Sequence, residues 1–330
     1  MGNISIKEIA KHAGVSSATV SRVFNNNGRF SEEIREKVLS VIEKYEYTPN
    51  IVAKSLRTKR SKSIGVIVPD ISNEFFSQVI LAIENYCFKK GYSVSVCNTN
   101  EDEKKEKLYL KDLETKGVDG LIYIAGGTMD ILSRISKKKI PMVFVDRRPR
   151  SKDIIIVESD NYGGGFMATE ELIRVNCKKI VILKDYRDVT PSVYRFKGYI
   201  DALKKYGLPI DPKLVLGINI NVNSARDAIL KLIRENIAFD GVFATTDWLA
   251  IGTLDALRQS NVKVPQEVKI VGFDNIPFTE YSYPKITTIN QNKQKIGKVS
   301  AEKLLEMIDG STFLNKDIII PVQLVRRESS

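Results

Sequence analysis

From residue 64 onward, short apolar runs alternate with stretches of helical periodicity, and this alternation limits the folds open to the chain. The first run covers residues 64–68 and precedes a helical stretch from about residue 73 to residue 90. Further apolar runs lie near residues 92–97, 120–124, 142–145, 154–157, 180–183, 214–218, 241–244 and 268–272. Strands joined by helices form parallel sheets that are covered on both faces. The pattern predicts an α/β body that binds ligands at the carboxyl ends of its strands.

The first 46 residues carry a different pattern, that of three short helices. Gly14 suits the left-handed turn that ends the first helix, and Ser16 and Ser31 suit the N-caps of the second and third. We expect the second helix to turn Val20, Val23 and Phe24 inward. The expected buried stripe of the third helix is Ile34, Val38, Val41, Ile42 and Tyr45. The sequence therefore predicts an all-α head in front of the α/β body.

The second helix leaves small polar residues on its outer face, as a helix-turn-helix needs in order to enter the major groove of DNA. Arg22 can donate two hydrogen bonds to a guanine edge. Side chains that can donate to phosphates belong to Ser5, Ser16, Thr19, Ser21 and Asn25. The chain has a formal net charge of +11, and residues 1–63 hold twelve Lys and Arg against six Glu. A basic head suits a polyanion, although a three-helix module for protein contacts remains the alternative.

The run from residue 6 to residue 23 resembles the DNA-binding head of the lac/gal repressor family (LacI/GalR type) almost position for position. The family pattern is met by Ile6, Ala10, Ala13, Gly14, Val15, Ser16, Thr19, Val20, Ser21, Arg22 and Val23. The next landmarks are matched by Tyr47, Pro49, Asn50, Ala53 and Leu56. In the body the likeness includes residues 65–69, 118–120, 160–164 with Ala168, and 271–274. The resemblance covers essentially the whole chain.

The resemblance implies how DNA is read. Ser17, Ala18 and Arg22 would contact bases, and residues 50–58 would form a hinge helix that folds only on the operator. Leu56 would wedge between the two central base pairs in the minor groove, unless it is a plain core leucine. The implied DNA contacts in and before the hinge are Tyr47, Asn50, Ala53, Lys54 and Leu56. Paired hinge helices require a homodimer on double-stranded, pseudo-palindromic operator DNA.

The resemblance also implies a body with the fold of periplasmic sugar-binding proteins, in which two lobes close over a ligand and are joined by three crossovers. We expect a helix-turn-helix domain at 1–49, a hinge helix and linker at 50–62, and an effector-binding and dimerisation domain at 63–330. The N-lobe would comprise about 63–160 and 291–320, and the C-lobe about 161–290 and 321–330. No leucine heptad follows the last strand, so we expect a dimer without a tetramerising coiled coil.

Matching motifs also indicate the effector-binding residues. Sugars require polar side chains for their hydroxyls, a guanidinium for a ring oxygen or anionic group, and aromatic faces for their C–H side. The candidates are Phe75, Phe76, Asp146, Arg195, Asn219, Asp247, Trp248 and Asp274. Asp247 could instead cap the next helix, and Trp248 could instead be a core or rim residue.

The expected effector is a sugar or a sugar phosphate, with a nucleobase as the rival ligand. We expect a small-molecule effector and no cofactor. A phosphorylated carrier protein as co-effector, docked near Lys303, is disfavoured because the arginines expected for that contact are not evident.

One glycine-rich motif raises the alternative of a dinucleotide-binding enzyme. Residues 163–168 satisfy the dinucleotide-binding pattern G-x-G-x-x-G/A, with Asp185 or Asp188 about 20 residues further on. Residues 158–162 separate these glycines from the preceding strand, so we expect Asp160 to cap the helix and the glycines to permit close packing. His12 is the only histidine, and no nucleophile–base set is recognisable. We therefore predict neither an NAD-binding enzyme nor a metal site.

The composition indicates a cytoplasmic protein. No stretch approaches the roughly 20 apolar residues that span a bilayer, and the N-terminus lacks the apolar core of a signal peptide. Cys87, Cys97 and Cys177 are isolated, which suits a reducing compartment. The rival outside the enzymes is a sugar or nucleobase receptor without DNA function, and the predicted head argues against it.

Overall fold

The computed structural model describes residues 4–24, 26–47, 60–124, 140–146, 148, 154–187, 189–314 and 316–330. The chain divides into two compact units, Met1–Ser61 and Lys62–Ser330. Some residues with predicted DNA contacts lie outside the described residues, namely Asn25, Asn50, Ala53, Lys54 and Leu56.

The first unit contains the helices α1 (Ile6–Ala13), α2 (Ser17–Phe24) and α3 (Glu32–Lys44). Gly14 ends α1 in the left-handed conformation, with φ 64°. The Ser16 hydroxyl accepts a hydrogen bond from the amide of Thr19, and the Ser31 hydroxyl accepts one from the amide of Ile34. These three predicted helix boundaries are confirmed. The shared core consists of Ile9, Ala10, Ala13, Val20, Val23 and Val38.

Two predicted core residues of this unit are exposed instead. Phe24 is the last residue of α2 and is 42% exposed, because it lies beyond the small core that Val20 and Val23 reach. Tyr45 follows the last turn of α3 and stacks on His12 at the surface, with 4.7 Å between the ring centroids. A three-helix unit of this size has little interior, so helical periodicity over-predicts the burial of its terminal aromatic residues.

The second unit contains two mainly parallel sheets whose strands are connected by helices. The strands are β1 (Ser63–Val68), β2 (Ser93–Asn98), β3 (Gly120–Tyr123), β4 (Met142–Val145), β5 (Ile155–Ser159), β6 (Ile180–Asp185), β7 (Val215–Ile218), β8 (Gly241–Ala244), β9 (Lys269–Asp274), β10 (Thr287–Asn290), β11 (Asp317–Ile320) and β12 (Gln323–Val325). The α-helices are α4 (Glu74–Lys89), α5 (Glu103–Thr115), α6 (Asn161–Arg174), α7 (Thr190–Lys205), α8 (Val222–Arg234), α9 (Asp247–Gln259), α10 (Phe278–Tyr281) and α11 (Lys293–Ile308).

The strand order is β11-β5-β4-β3-β1-β2 in the first sheet and β12-β10-β9-β8-β6-β7 in the second. All neighbouring strands are parallel except β12, which pairs antiparallel with β10. The chain passes between the sheets three times, after β5, after β10 and after β11. The predicted α/β body with parallel sheets in two lobes is therefore confirmed, and the antiparallel last strand is the one departure.

Helices α6 and α7 cross at two glycines that leave no room for a side chain. A Cβ on Gly165 would lie 2.3 Å from the carbonyl oxygen of Arg195, and one on Gly198 would lie 2.3 Å from that of Tyr162. At the start of α6, the Asp160 carboxylate accepts a hydrogen bond of 2.8 Å from the amide of Gly163. Asp160 therefore caps the helix, and the glycines permit close packing, as expected.

We predict that Gly198→Ala destabilises the second unit by about 1–3 kcal/mol, because the added methyl group meets backbone atoms that can move only with the helix. Trp248 is the only tryptophan, so its fluorescence during urea unfolding reports on this unit alone. Gly217→Ala is the matched control, since its nearest non-neighbouring atom would lie 3.3 Å from the new Cβ. Equal losses in the two variants would contradict the close crossing.

Candidate functional site

A cavity of about 520 Å³ lies where the carboxyl ends of the strands of both sheets meet. This is the position at which parallel α/β sheets bind ligands, and the volume is in the range of small-molecule sites. Residues at the ends of strands or shortly after them supply much of its wall, including Asp70, Glu101, Asp146, Asp185, Asn219, Thr245 and Asp274. Six of the eight predicted effector contacts line the cavity, namely Phe75, Phe76, Asp146, Arg195, Asn219 and Asp274.

Arg195 projects from α7 and is the most constrained of these side chains. It is 6% exposed. Its Nε donates to the side-chain oxygen of Asn161 at 2.8 Å, its Nη1 to the carbonyl oxygen of Thr245 at 2.6 Å, and its Nη2 to Gln291 at 3.2 Å. The guanidinium carbon also lies 3.7 Å from the centroid of the Phe273 ring. Burial lowers the pKa of Arg195, and the nearby carboxylate of Asp274 opposes that shift.

Asp146 and Asp274 present buried carboxylates to the cavity. Both have positive φ angles, 49° and 117°, which are uncommon for residues other than glycine. Asp146 accepts hydrogen bonds from the amide of Ser159 at 2.9 Å and from Asn161 at 3.4 Å. Asp274 accepts one from the side chain of Gln291. Burial raises the pKa of both carboxyl groups, whereas Arg195 acts in the opposite direction.

The aromatic part of the wall comes from the start of α4. Asn73 caps this helix by accepting a hydrogen bond of 3.0 Å from the amide of Phe75. Phe75 is buried and Phe76 is half-buried, and their rings meet edge to face with centroids 5.3 Å apart. An aromatic edge beside several carboxylates and a guanidinium can hold a molecule with one apolar and one hydroxyl-rich face.

An ion pair that the sequence analysis missed spans the cavity. Arg187, which follows β6, donates from Nε and Nη2 to Asp185, with the Nη2 bond at 2.7 Å, and from Nη1 to Glu101 beyond β2. The two acids therefore come from different sheets. The signal that could have identified all three residues is their position just at or after the end of a predicted strand.

The structure places Asp247 and Trp248 outside the residues that line the cavity. Asp247 is 0% exposed, and its carboxylate accepts hydrogen bonds from the amide of Ile276 at 2.8 Å and from the Thr288 hydroxyl at 2.6 Å. Thr246, not Asp247, caps α9. Trp248 packs against Phe278, with ring centroids 5.4 Å apart. These partners give both residues a structural position, and their contact with a ligand stays a prediction.

In the first unit, α2 has the expected amphipathic arrangement. Val20 and Val23 are buried, whereas Ala18 and Arg22 are exposed and Ser17, Thr19 and Ser21 are half-buried. Ser5 forms a capping box with Glu8, and the Ser16 hydroxyl lies 2.9 Å from that of Thr19, so these predicted phosphate donors also cap helices. Tyr47 packs against the core of the unit, and this burial raises its pKa.

Family models match both parts of the chain. Residues 5–50 match bacterial regulatory proteins of the lacI family. Residues 61–328 match the periplasmic binding proteins and sugar binding domain of the LacI family. The chain belongs to the LacI family. It is a transcriptional regulator and not an enzyme, which confirms the resemblance and the function predicted from the sequence.

Similar proteins cover the chain from end to end. It is 36% identical to the HTH-type transcriptional regulator RegA of Clostridium saccharobutylicum, over 99% of each chain. It is 35% identical to the ribose operon repressor of Halalkalibacterium halodurans, over 99% of this chain and 97% of that protein.

Two solved structures extend the comparison. The lac repressor dimer bound to operator and an anti-inducer superposes with a TM-score of 0.90 over 99% of each chain, and its 24% identity supports the fold alone. A LacI-type regulator from Alkaliphilus metalliredigens in complex with D-xylulofuranose is 34% identical, with a TM-score of 0.72 over 82% of this chain and 99% of that one.

The described residues contain neither a membrane span nor a metal-binding cluster. None of the helices there is long and apolar enough to cross a membrane. No group of three or more His, Cys, Asp or Glu in the same residues could hold a metal ion.

The buried acids make the stability of the second unit depend on pH. Burial and the neighbouring Asp274 raise the pKa of Asp247, so between its ordinary range near pH 4 and the raised value the folded state binds more protons than the unfolded state. The free energy of unfolding therefore falls as the pH rises through this window. Asp247→Asn keeps a side chain that can accept from Ile276 and donate to Thr288.

We predict that Asp247→Asn gains stability relative to the natural chain as the pH rises from about 5 to about 8. Urea unfolding followed by Trp248 fluorescence measures this difference. Asp255→Asn, on a partly exposed side of the same helix, controls for the loss of one charge. A stability difference for Asp247→Asn that stays constant across this pH range would contradict the assignment.

Proposed function

We propose that this regulator is a repressor that binds a pseudo-palindromic operator as a homodimer and senses a sugar in the cavity of its second unit. The observation that carries the proposal is the combination, in one chain, of a helix with an exposed small-residue face and a polar cavity at the strand ends. A helix-turn-helix of this kind reads the major groove. The names of the two relatives, a transcriptional regulator and a ribose operon repressor, support this function.

We assign direct base contacts to Ser17, Ala18 and Arg22. The remaining DNA contacts that we propose are phosphate contacts by Ser5, Ser16, Thr19, Ser21 and Asn25, and contacts near the hinge by Tyr47, Asn50, Ala53, Lys54 and Leu56. Arg22, the one charged residue of the proposed reading helix, is exposed, which suits its proposed contact with a base. We propose domain bounds of 1–49, 50–62 and 63–330, with the lobe division predicted from the sequence, and a cytoplasmic location, where the operator DNA lies.

The effector would act through the crossovers between the lobes. Arg195 is bonded to Asn161, beside the first crossover, and to Gln291, beside the second. Ser159 also donates to Gln291 at 2.7 Å, which joins the two crossovers directly. A ligand that contacts Arg195 or Asp274 therefore reaches the segments about which the lobes move. We expect ligand binding to bias the angle between the lobes, and so the order of the paired hinges on DNA, which is a coupling between two sites.

A sugar is the proposed effector class, acting without a cofactor. Aspartate and asparagine side chains suit sugar hydroxyls, and the Phe75–Phe76 edge suits the C–H side of a ring. The D-xylulofuranose bound to the similar regulator supports this class. A phosphorylated carrier protein is not part of the proposal, because Lys303 is already paired with Glu306 at 2.7 Å and lies over the Phe313 ring.

Selection of bound DNA from a random pool tests the proposal, at fixed salt and with or without a panel of sugars, sugar phosphates and purines. We expect an enriched palindrome whose occupancy changes with one sugar. If the occupancy of the palindrome changes only with a purine, the effector is a nucleobase and not a sugar. The absence of any enriched sequence would contradict the proposed DNA function.

We predict that Arg22→Ala weakens binding to the selected operator by about 1–3 kcal/mol, or roughly 5- to 150-fold, because a bidentate contact to guanine is lost. Binding to unrelated DNA should change much less. Lys44→Ala is the matched control, since it removes the same charge from the last turn of α3, where the ammonium lies beside Tyr45. Titration of operator and scrambled DNA by fluorescence anisotropy measures both affinities. Equal losses on the two DNAs would contradict base reading by Arg22.

A further inference from the structure

We infer that the cavity selects an uncharged sugar over its phosphate ester, and that Glu101 determines this selectivity by occupying Arg187. The inference rests on the proposed function, since it narrows the effector class of the same cavity. It is carried by the charges that line the cavity and by the partners that each guanidinium already has.

The described lining of the cavity is acidic. Five carboxylic acids belong to it, Asp70, Glu101, Asp146, Asp185 and Asp274, whereas its guanidinium groups are those of Arg187 and Arg195. Burial raises the pKa of Asp146 and Asp274. Even with both of these protonated, three carboxylates face two guanidinium groups. A phosphate monoester, which carries about −1.5 to −2 charges at neutral pH, would enter a region of the same sign.

Arg195 is held by the protein in one orientation, so its guanidinium cannot turn to meet a phosphate. Three of its nitrogen atoms donate to Asn161, Thr245 and Gln291, and its plane is held against Phe273. Turning the guanidinium toward a phosphate would leave buried acceptors on those partners unpaired, which is costly inside a protein. Arg195 can therefore offer a fixed donor edge to a neutral hydroxyl, but not a new bidentate contact.

Arg187 is the more accessible guanidinium, and it is shared between two carboxylates. Asp185 is buried and holds Nε and Nη2, while Glu101 reaches across from the other sheet to Nη1. In the loop after β2, the amide of Glu101 donates a hydrogen bond of 3.2 Å to the Thr99 hydroxyl, and Glu101 has a φ angle of 60°. A phosphate would have to displace Glu101 from this pair.

The helix N-termini at the cavity, another source of anion binding, are largely used by the protein itself. Asn73, Asn221 and Thr246 line the cavity, and each accepts a hydrogen bond from an amide in the first turn of its own helix. Helix α7 begins without a side-chain cap, but its first turn contains Pro191, which has no N–H to donate. Neutral hydroxyl groups, which both donate and accept, suit this lining better than a phosphate.

The test uses the full chain and matched pairs of ligands, D-ribose with D-ribose 5-phosphate and D-xylulose with D-xylulose 5-phosphate. Isothermal titration at fixed ionic strength measures each affinity. Where a pair binds, we expect the neutral sugar to bind about 10- to 100-fold more tightly than its phosphate ester. This is the range of affinity that one charge-assisted hydrogen bond provides. A phosphate ester that binds as tightly as its neutral partner, or more tightly, would overturn the inference.

Glu101→Gln tests the residue that determines the selectivity. The variant removes the charge that competes for Arg187, so the ratio of phosphate-ester affinity to neutral-sugar affinity should rise by about 10-fold or more. Asp102→Asn is the matched control, because it removes a neighbouring charge outside the cavity lining and retains an oxygen that can cap α5. An equal ratio in the two variants would show that Glu101 does not control selectivity.

Titration with inorganic phosphate distinguishes a failure of this inference from a failure of the proposed function. If neither member of either pair binds, the effector is not one of these two pentoses, and the operator selection with its wider panel decides the effector class and the DNA function. Inorganic phosphate should then bind Glu101→Gln and not the natural chain or Asp102→Asn. Phosphate binding to the natural chain, or its absence from Glu101→Gln, would overturn the inference independently of any sugar.

Discussion

The buried guanidinium of Arg195 is the contact on which the organisation of the second unit depends. It joins the start of α6 at Asn161, the end of β8 at Thr245 and the crossover residue Gln291, and it lies against Phe273 of β9. A buried cation requires hydrogen-bond partners and a nearby anion, and Asp274 supplies the anion at 3.7 Å. Because the partners come from separate elements, one side chain fixes the floor of the cavity and the crossovers together. The glycines at the α6–α7 crossing let the backbone carrying Arg195 approach closely enough to reach them.

Two further charged side chains, those of Lys293 and Asp247, hold the turn after β9 next to Arg195. Lys293 donates to the carbonyl oxygens of Asp274 and Asn275, so a second cation from α11 supports the turn after β9. The carboxylate of Asp247 accepts a hydrogen bond from the amide of Ile276 in the same turn. Asp247 has room there because Gly272 has no side chain. Asp247, Asp274, the half-buried Lys293 and Gly272 thus form one interdependent group. This explains how residues with unfavourable φ angles persist at the ligand-facing edge.

The sequence predicted the parts of this arrangement that depend on local patterns. The strands from β1 to β9, the caps at Ser16, Ser31 and Asp160, and the Gly14 turn all follow from periodicity and capping chemistry. The errors concern contacts between residues distant in sequence. Asp247 was expected at the cavity from matching motifs, but Thr288 and Ile276 hold its carboxylate inside the fold. The Glu101–Arg187 pair was missed for the same reason, since a single sequence does not show which distant charges meet.

The return of the chain to the first sheet has a consequence for folding during synthesis. Strand β11 pairs with β5 in a register that joins Asp317 to Ile156, and α11 packs against α4. The first sheet therefore remains without its edge strand until the ribosome has made nearly the whole chain. The helical head is complete far earlier and has its own core. A nascent chain of this kind exposes an unfinished sheet for most of its translation, a period in which binding by a chaperone protects it from aggregation.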